Sequence, residues 1–190
     1  LRQICLHPGL LSELEGSNFD SCKWTVLQEK ITELVEQDHK MVIFSQFTNM
    51  LNIVEDWIKE HGYYMERIDG SVSAKKRLEA VNRFQESDDP GVFLVSLKAG
   101  GVGLNLTAAD YVIHLDPWWN PAIEAQATDR VHRMGQKNKV MVYKMITKDT
   151  IEEQIQELQD SKRQLLGEII DIDSAAEKSL DFEAIKSLLE

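Results

Sequence analysis

Apolar positions in this 190-residue chain follow two rhythms. Short runs rich in β-branched residues recur as MVIFS (41–45), YMERID (64–69), VFLVS (92–96), YVIHLD (111–116) and VMVYKMI (140–146). MVIFS and VFLVS are apolar at consecutive positions, the pattern of a strand buried on both faces in a parallel sheet. Between the runs the period lengthens. Trp24, Leu27, Ile31 and Leu34 share one helical face, Phe47, Leu51, Val54 and Ile58 a second, and Leu78, Val81 and Phe84 a third. Strand–helix–strand alternation predicts an α/β fold: a mostly parallel sheet, right-handed crossovers, and helices on both faces. Ligands of such sheets bind at the carboxyl ends of the strands.

After Thr147 the rhythm changes. Thr150-Ile-Glu-Glu153 reads as a capping box with Thr150 as N-cap. A long amphipathic helix should follow, with Ile151, Ile155, Leu158, Leu165 and Ile169 along one side. The expected organisation is an entering linker and helix over 1–20, a sheet-bearing lobe over 21–148, a long C-terminal helical extension over 149–170, and an acidic tail with a short helix over 171–190.

Composition narrows the class. The chain is 43% hydrophobic and 28% charged, an ordinary globular mixture, and no apolar run reaches the roughly 18 residues of a membrane span. LRQICLHPGLL lacks the cationic start and long apolar stretch of a secretory leader. Leucine at position 1 raises the expectation of a piece cut from something longer. Cys5 and Cys22 have no CxxC spacing, so reduced thiols and an intracellular compartment are expected: cytoplasm or nucleoid in a bacterium, nucleus in a eukaryote.

A net charge of −11 argues at first against a nucleic-acid partner. Its distribution weakens that objection. Residues 149–190 carry 12 carboxylates against 4 cations, whereas residues 1–148 carry 20 against 17. From Gln126 to Lys144 there are five Lys/Arg and one Asp, so the middle of the chain can present a basic face.

Three segments carry chemistry. SLKAGGVGLNL (96–106) follows the strand VFLVS, and Gly100, Gly101 and Gly103 let backbone approach a ligand closely. A dinucleotide fingerprint would need a third glycine where Leu106 stands. A tight turn without a ligand stays open. In DPWWNP (116–121) two tryptophans sit between prolines at the end of a strand. Neighbours in extended chain point opposite ways, so one indole is expected in the core and the other outward, where it can stack on a base or sugar. AIEAQATDRVHRMGQ (122–136) reads as a helix started by Pro121 and ended at Gly135-Gln136. Gln126, Arg130 and Arg133 would share one face, and two guanidinium forks suit a polyphosphate. The competing reading is a solvated face, or Arg130 paired with Glu124 or Asp129.

In this order and spacing, SLKAGGVGLNL, DPWWNP and QATDRVHRMGQ resemble motifs V and VI of Swi/Snf-type ATPases, within the second helicase-like superfamily. MVIFSQFTNML (41–51) is similar to motif IV, RIDGSVSAKKRLEAVNRF (67–84) to the segment after it, and LRQICLHP to the run that precedes this lobe. Leu6 stands where the family usually has Asn, and Met134 where it usually has Ile. The resemblance reaches to about Ile170 and leaves 171–190 unmatched.

The resemblance implies a RecA-like second lobe that closes on ATP and Mg2+ held mainly by an N-terminal RecA-like lobe. By position, Arg130 and Arg133 would be arginine fingers, and Gln126, Gly101 and Gly103 would line the nucleotide side. Ser45, Gln46, Ser96, Lys98 and Trp119 would face double-stranded DNA. Lys75, Lys76 and Arg77 crowd a helix start against its dipole, so solvated charge comes first and phosphate contact second. The implied activity is sequence-independent translocation along duplex DNA, with a DNA-bound protein complex as a further partner and no membrane or metal site of its own. The chain has no GxxxxGK[ST] and no acidic Walker B box. The fragment is therefore expected to be inactive alone. A catalytically silent scaffold domain and a strand-separating helicase lobe are the alternatives.

Overall fold

A computed structural model of the chain describes residues 1–11, 21–97, 99, 104–132, 139–162 and 164. The elements are α1 (Arg2–Leu6), a 3-10 turn (Pro8–Leu10), α2 (Cys22–Glu36), β1 (Lys40–Ser45), α3 (Thr48–Glu60), β2 (Tyr64–Ile68), α4 (Ala74–Glu86), β3 (Gly91–Ser96), β4 (Tyr111–His114), α5 (Pro121–Thr128) and β5 (Met141–Lys144). A further helix, α6, covers 151–162.

The five strands form one sheet in the order β2-β3-β1-β4-β5, and every pairing is parallel. The consecutive apolar runs are explained by burial on both sides. Val42, Phe44, Phe93, Val95 and Val112 face a core closed by Ala80, Val81 and Phe84 of α4 and Ala127 of α5. Met41, Ile43, Val92, Leu94 and Ile113 face the opposite core, closed by Leu6, by Leu27, Ile31 and Leu34 of α2, and by Leu51, Val54 and Ile58 of α3. Each fully buried side chain of this size contributes about 1.5–3 kcal/mol. Phe84 and Phe93 meet edge to face at 5.0 Å, the geometry their ring quadrupoles prefer. The fold is the α/β, helix-covered parallel sheet that the apolar pattern implies.

Local chemistry sets the boundaries. Ser21 caps α2 by accepting from Trp24 N at 3.4 Å. Asn120 caps α5 by accepting from Ala122 N at 3.1 Å, with Pro121 at the first helical position. Gly91 opens β3 where no other residue fits, since a Cβ there would stand 2.4 Å from the carbonyl oxygen of Tyr64.

The helices depart from the sequence pattern in three places. Leu78 is 62% exposed; at 3.6 residues per turn it lies about 120° around from Phe84, and Ala80 takes the inward place. The helix read over 122–136 stops at Thr128. Bonds from Arg130 N to Ala127 O (3.3 Å) and Val131 N to Thr128 O (3.0 Å) tighten the chain into 3-10-like turns. The buried positions of α6 are polar: Glu152 is 1% and Gln159 0% exposed, while Leu158 is 48% exposed. Its start differs too. Thr150 Oγ1 accepts from Glu152 N at 3.2 Å, and Glu153 answers Asp149 N at 2.8 Å, one residue outside the expected box. Leu165, Ile169, the Gly135-Gln136 stop and the 171–190 tail lie outside the described residues.

Candidate site at the carboxyl ends of the strands

β1 and β4 are neighbours, yet their onward connections leave in opposite directions, β1 toward β2 and β4 toward β5. Their carboxyl ends therefore border the crevice where doubly wound sheets bind ligands. Ser45 and Gln46 stand at one tip and Asp116 at the other. Asp116 is 1% exposed. Its Oδ1 accepts from Ser45 Oγ at 2.6 Å and from Gln46 N at 3.3 Å, and the Gln46 amide donates to Oδ2. Burial pushes the Asp116 carboxyl above its ordinary value, against the opposing pull of these donors and of the Arg2 guanidinium 3.9 Å away. Sequence reading gave Asp116 no role; its one signal was an acid ending an apolar strand.

Two of the residues expected to face DNA are buried in this arrangement. Ser45 is fully buried and its hydroxyl is committed to Asp116, while also accepting from Phe47 N at 3.1 Å. Ser96 is 2% exposed and accepts from Ala99 N at 3.3 Å. Both hydroxyls shape the strand tips from inside. Gln46 is partly exposed. Of the basic cluster before β3, Arg77 turns back on its own loop, donating to the carbonyls of Val72 (2.7 Å) and Asp69 (3.1 Å), while Lys75 and Lys76 are exposed.

The tryptophans divide as alternation predicts. Trp118 packs partly buried against the α4/α5 core, and Trp119 is 51% exposed, with ring centroids 6.4 Å apart. Lys162 of α6 places its ammonium 5.1 Å from the Trp119 ring centroid.

Gln126, on α5, is exposed. Arg130 lies past the helix end, in the turn, and is only 4% exposed. The shared face expected of Gln126 and Arg130 is therefore not formed, because the helix ends between them. Leu106 N donates to Arg130 O at 3.1 Å, so the end of the glycine segment and the arginine turn run side by side. Arg133, Lys98, Gly101 and Gly103 lie outside the described residues.

Glu124, considered from sequence only as a partner for Arg130, does something else. It is 2% exposed. Oε1 accepts from Trp118 N at 2.7 Å and from Gln159 Nε2 at 2.8 Å, and Oε2 accepts from Lys144 Nζ at 2.5 Å. Burial alone would raise its pKa, but the Lys144 ammonium, the Trp118 N–H and the Gln159 amide outweigh burial and hold it below the ordinary carboxylate value. Beneath α5, His114 stacks on Phe44 at 5.3 Å and meets Thr128 Oγ1 at 3.1 Å. Burial pushes its imidazole down to about 4, opposed by Glu124 and assisted by Lys144.

Residues 22–135 match the family described as the helicase conserved C-terminal domain. In structure, the chain is similar to the Sulfolobus solfataricus SWI2/SNF2 ATPase core domain, with TM-score 0.73, 40% identity, and coverage of 90% of this chain and 35% of that one. It belongs to the helicase C-terminal domain family, in its Swi/Snf form. The C-terminal part of the Fun30 ATPase domain is similar over 83% of this Swi/Snf-type lobe, at TM-score 0.71 and 36% identity. An uncharacterized ATP-dependent helicase of Mycoplasma pneumoniae is 41% identical across the whole lobe, which corresponds to 18% of that relative. The human helicase-like transcription factor is 45% identical over 158 residues, 81% of the lobe and 16% of that relative. The Swi/Snf-type lobe thus spans under a fifth of the length of these curated relatives.

Proposed function

We propose that this chain works as the second ATPase lobe of a motor that translocates along double-stranded DNA. In this reading an N-terminal RecA-like lobe holds ATP and Mg2+, and this lobe closes over the nucleotide with Arg130 and Arg133. Gln126, Gly101 and Gly103 border the same nucleotide. The guanidinium charge stabilises the γ-phosphoryl group as it leaves, an effect worth roughly 10³–10⁵ in turnover for an arginine finger. The bound Mg2+ supplies charge neutralisation between the phosphates. Its ligands are assigned to the other lobe, since this sequence contains no Walker A or Walker B motif. Trp119, Gln46 and Lys98 meet the DNA backbone, which positions the motor without reading sequence. DNA-bound proteins are the obstacles such a motor would move.

The observation that supports this reading is the bond from Leu106 N to Arg130 O, which joins the stretch just after the glycines to the arginine turn. The names of the relatives support ATP dependence. Burial of Arg130 favours one refinement: Arg133 is the finger that reaches phosphate, and Arg130 orders the turn behind it.

The test is steady-state phosphate release with and without duplex DNA. The full-length protein should turn over ATP in a DNA-stimulated manner. The 1–190 lobe alone should not, since its sequence contains no Walker A or Walker B motif. Arg133→Ala in the full-length protein should cut turnover at least about 10³-fold with DNA affinity little changed. Robust turnover by the lobe alone, or collapse of DNA affinity with turnover intact, would overturn the assignment. A strand-displacement assay should show no unwinding.

A further inference from the structure

The backbone of Trp118 is gripped from both sides, by a carboxylate six residues on and by an amide from a different helix. Its N–H donates to Glu124 Oε1 at 2.7 Å, and its carbonyl accepts from the side-chain amide of Gln159. Gln159 also donates to the same Glu124 oxygen at 2.8 Å, closing a ring through α5, the tryptophan segment and α6. Both side chains are sealed from solvent, Glu124 at 2% and Gln159 at 0% exposed. Lys144 of β5 completes the carboxylate at 2.5 Å. One residue further on, Trp119 emerges half exposed, with Lys162 of the same helix over its ring and near its carbonyl at 3.5 Å.

A helix held only for stability would present its apolar side to the lobe. α6 turns Ile151 and Ile155 partly inward, but the two positions it buries fully are Glu152 and Gln159, while Leu158 is half exposed. A buried amide with a fixed set of partners is a poor source of stability but a good source of orientation, because its bonds are directional and costly to leave unmade. Two consecutive peptide bonds next to a proline have few freedoms left. Holding both ends of the Trp118 unit therefore fixes where the Trp119 indole points.

We propose that Gln159 and Glu124 are positioning residues: α6 sets the direction of Trp119 through them, so DNA-stimulated turnover depends on a side chain that touches neither DNA nor nucleotide. This deepens the motor reading above and rests on it.

The experiment uses the full-length protein and a double-mutant cycle between Gln159→Met and Trp119→Ala, read as turnover against duplex DNA concentration. Gln159→Met keeps the side-chain length and removes the amide. It removes both bonds of the amide and should lower DNA-stimulated turnover at least about tenfold, the order expected when the buried bond to the Trp118 carbonyl alone is lost. The KM for ATP and the DNA-independent rate should stay within about twofold. In the Trp119→Ala background the same change should have no further effect, because the group it orients is gone. Hydrogen exchange at the Trp118 amide should quicken in Gln159→Met. Should that variant not fold, Glu124→Gln weakens the same ring at constant shape and takes its place in the cycle. A Gln159→Met protein with unchanged stimulation overturns the inference, as does an equal loss in both backgrounds, the mark of a purely structural role. Wild-type turnover indifferent to DNA overturns the motor reading, and the inference falls with it.

Discussion

Replacing Lys23 by methionine should cost this lobe several kcal/mol, although the residue lies on the first turn of a helix, where lysines are usually solvated. The Lys23 ammonium is 4% exposed and donates to Leu115 O and Met145 O at 3.0 Å each and to Glu152 Oε2 at 2.5 Å. It therefore ties the ends of β4 and β5 to the first turn of α6. Methionine fills the volume but leaves a buried carboxylate and two carbonyls without this donor. Breaking a buried pair from one side costs about 3–5 kcal/mol. At this chain length 1 kcal/mol moves Tm by about 2–4 °C, so a drop of about 6–20 °C is expected. High salt should not reduce the effect, because buried charges are poorly screened. Glu152→Leu added to Lys23→Met should recover part of the loss, because the uncompensated carboxylate is gone while the Leu115 and Met145 carbonyls and Thr147 N stay without their partners. Urea unfolding of the two single variants and the double variant gives the coupling directly. A Lys23→Met loss below about 1 kcal/mol, or a double-variant loss equal to the sum of the singles, would refute the argument.

Three further outcomes follow from the same geometry. Gly91→Ala should push β3 off β2, because the new methyl meets a backbone carbonyl that cannot rotate away; a fall of about 1–3 kcal/mol in urea unfolding is expected, and a neutral result would mean the strands shift freely. With a folded pKa of about 4 against 6.5 when unfolded, the His114 contribution is complete above pH 6.5 and is lost as pH falls toward 4. It amounts to about 3 kcal/mol, partly offset near the bottom of that window by the raised carboxyl of Asp116, and NMR titration of His114 checks it. Trp119→Ala in the full-length protein should weaken DNA stimulation while leaving thermal stability within about 0.5 kcal/mol, as befits a half-exposed ring; unchanged stimulation would remove Trp119 from the DNA surface.

The sheet was legible because its signal is dense. Uninterrupted apolar runs such as MVIFS and VFLVS have few other homes than a doubly covered parallel sheet, and all five expected strands form. The separation of Trp118 from Trp119 was legible for a similar reason, through backbone alternation alone. Less was visible where partners come from afar. Nothing near Gln159 or Glu124 announces that they close a ring on Trp118, and α6 hides its buried side because that side is polar. The same holds for Ser45, whose hydroxyl is captured by Asp116 from 71 positions away. The helix of 122–136 was over-extended because its apolar spacing continues past Thr128, whereas Thr128 and Asp129 carry weak helix propensity and the backbone tightens there.

The place of β1 in the sheet has a consequence during synthesis. It is the central strand, yet it is made before either of its neighbours, with Ser45 waiting for Ser96 on one side and Phe44 for His114 on the other. At a ribosome adding about 5–20 residues per second, that wait lasts on the order of 3–10 s. Throughout it, an apolar β-branched run has an open edge and nothing to pair with, the condition under which nascent chains stick to one another. Crowded overexpression should therefore be far less forgiving to this lobe than its folded stability would suggest, and slowing initiation should rescue more soluble protein than any surface substitution.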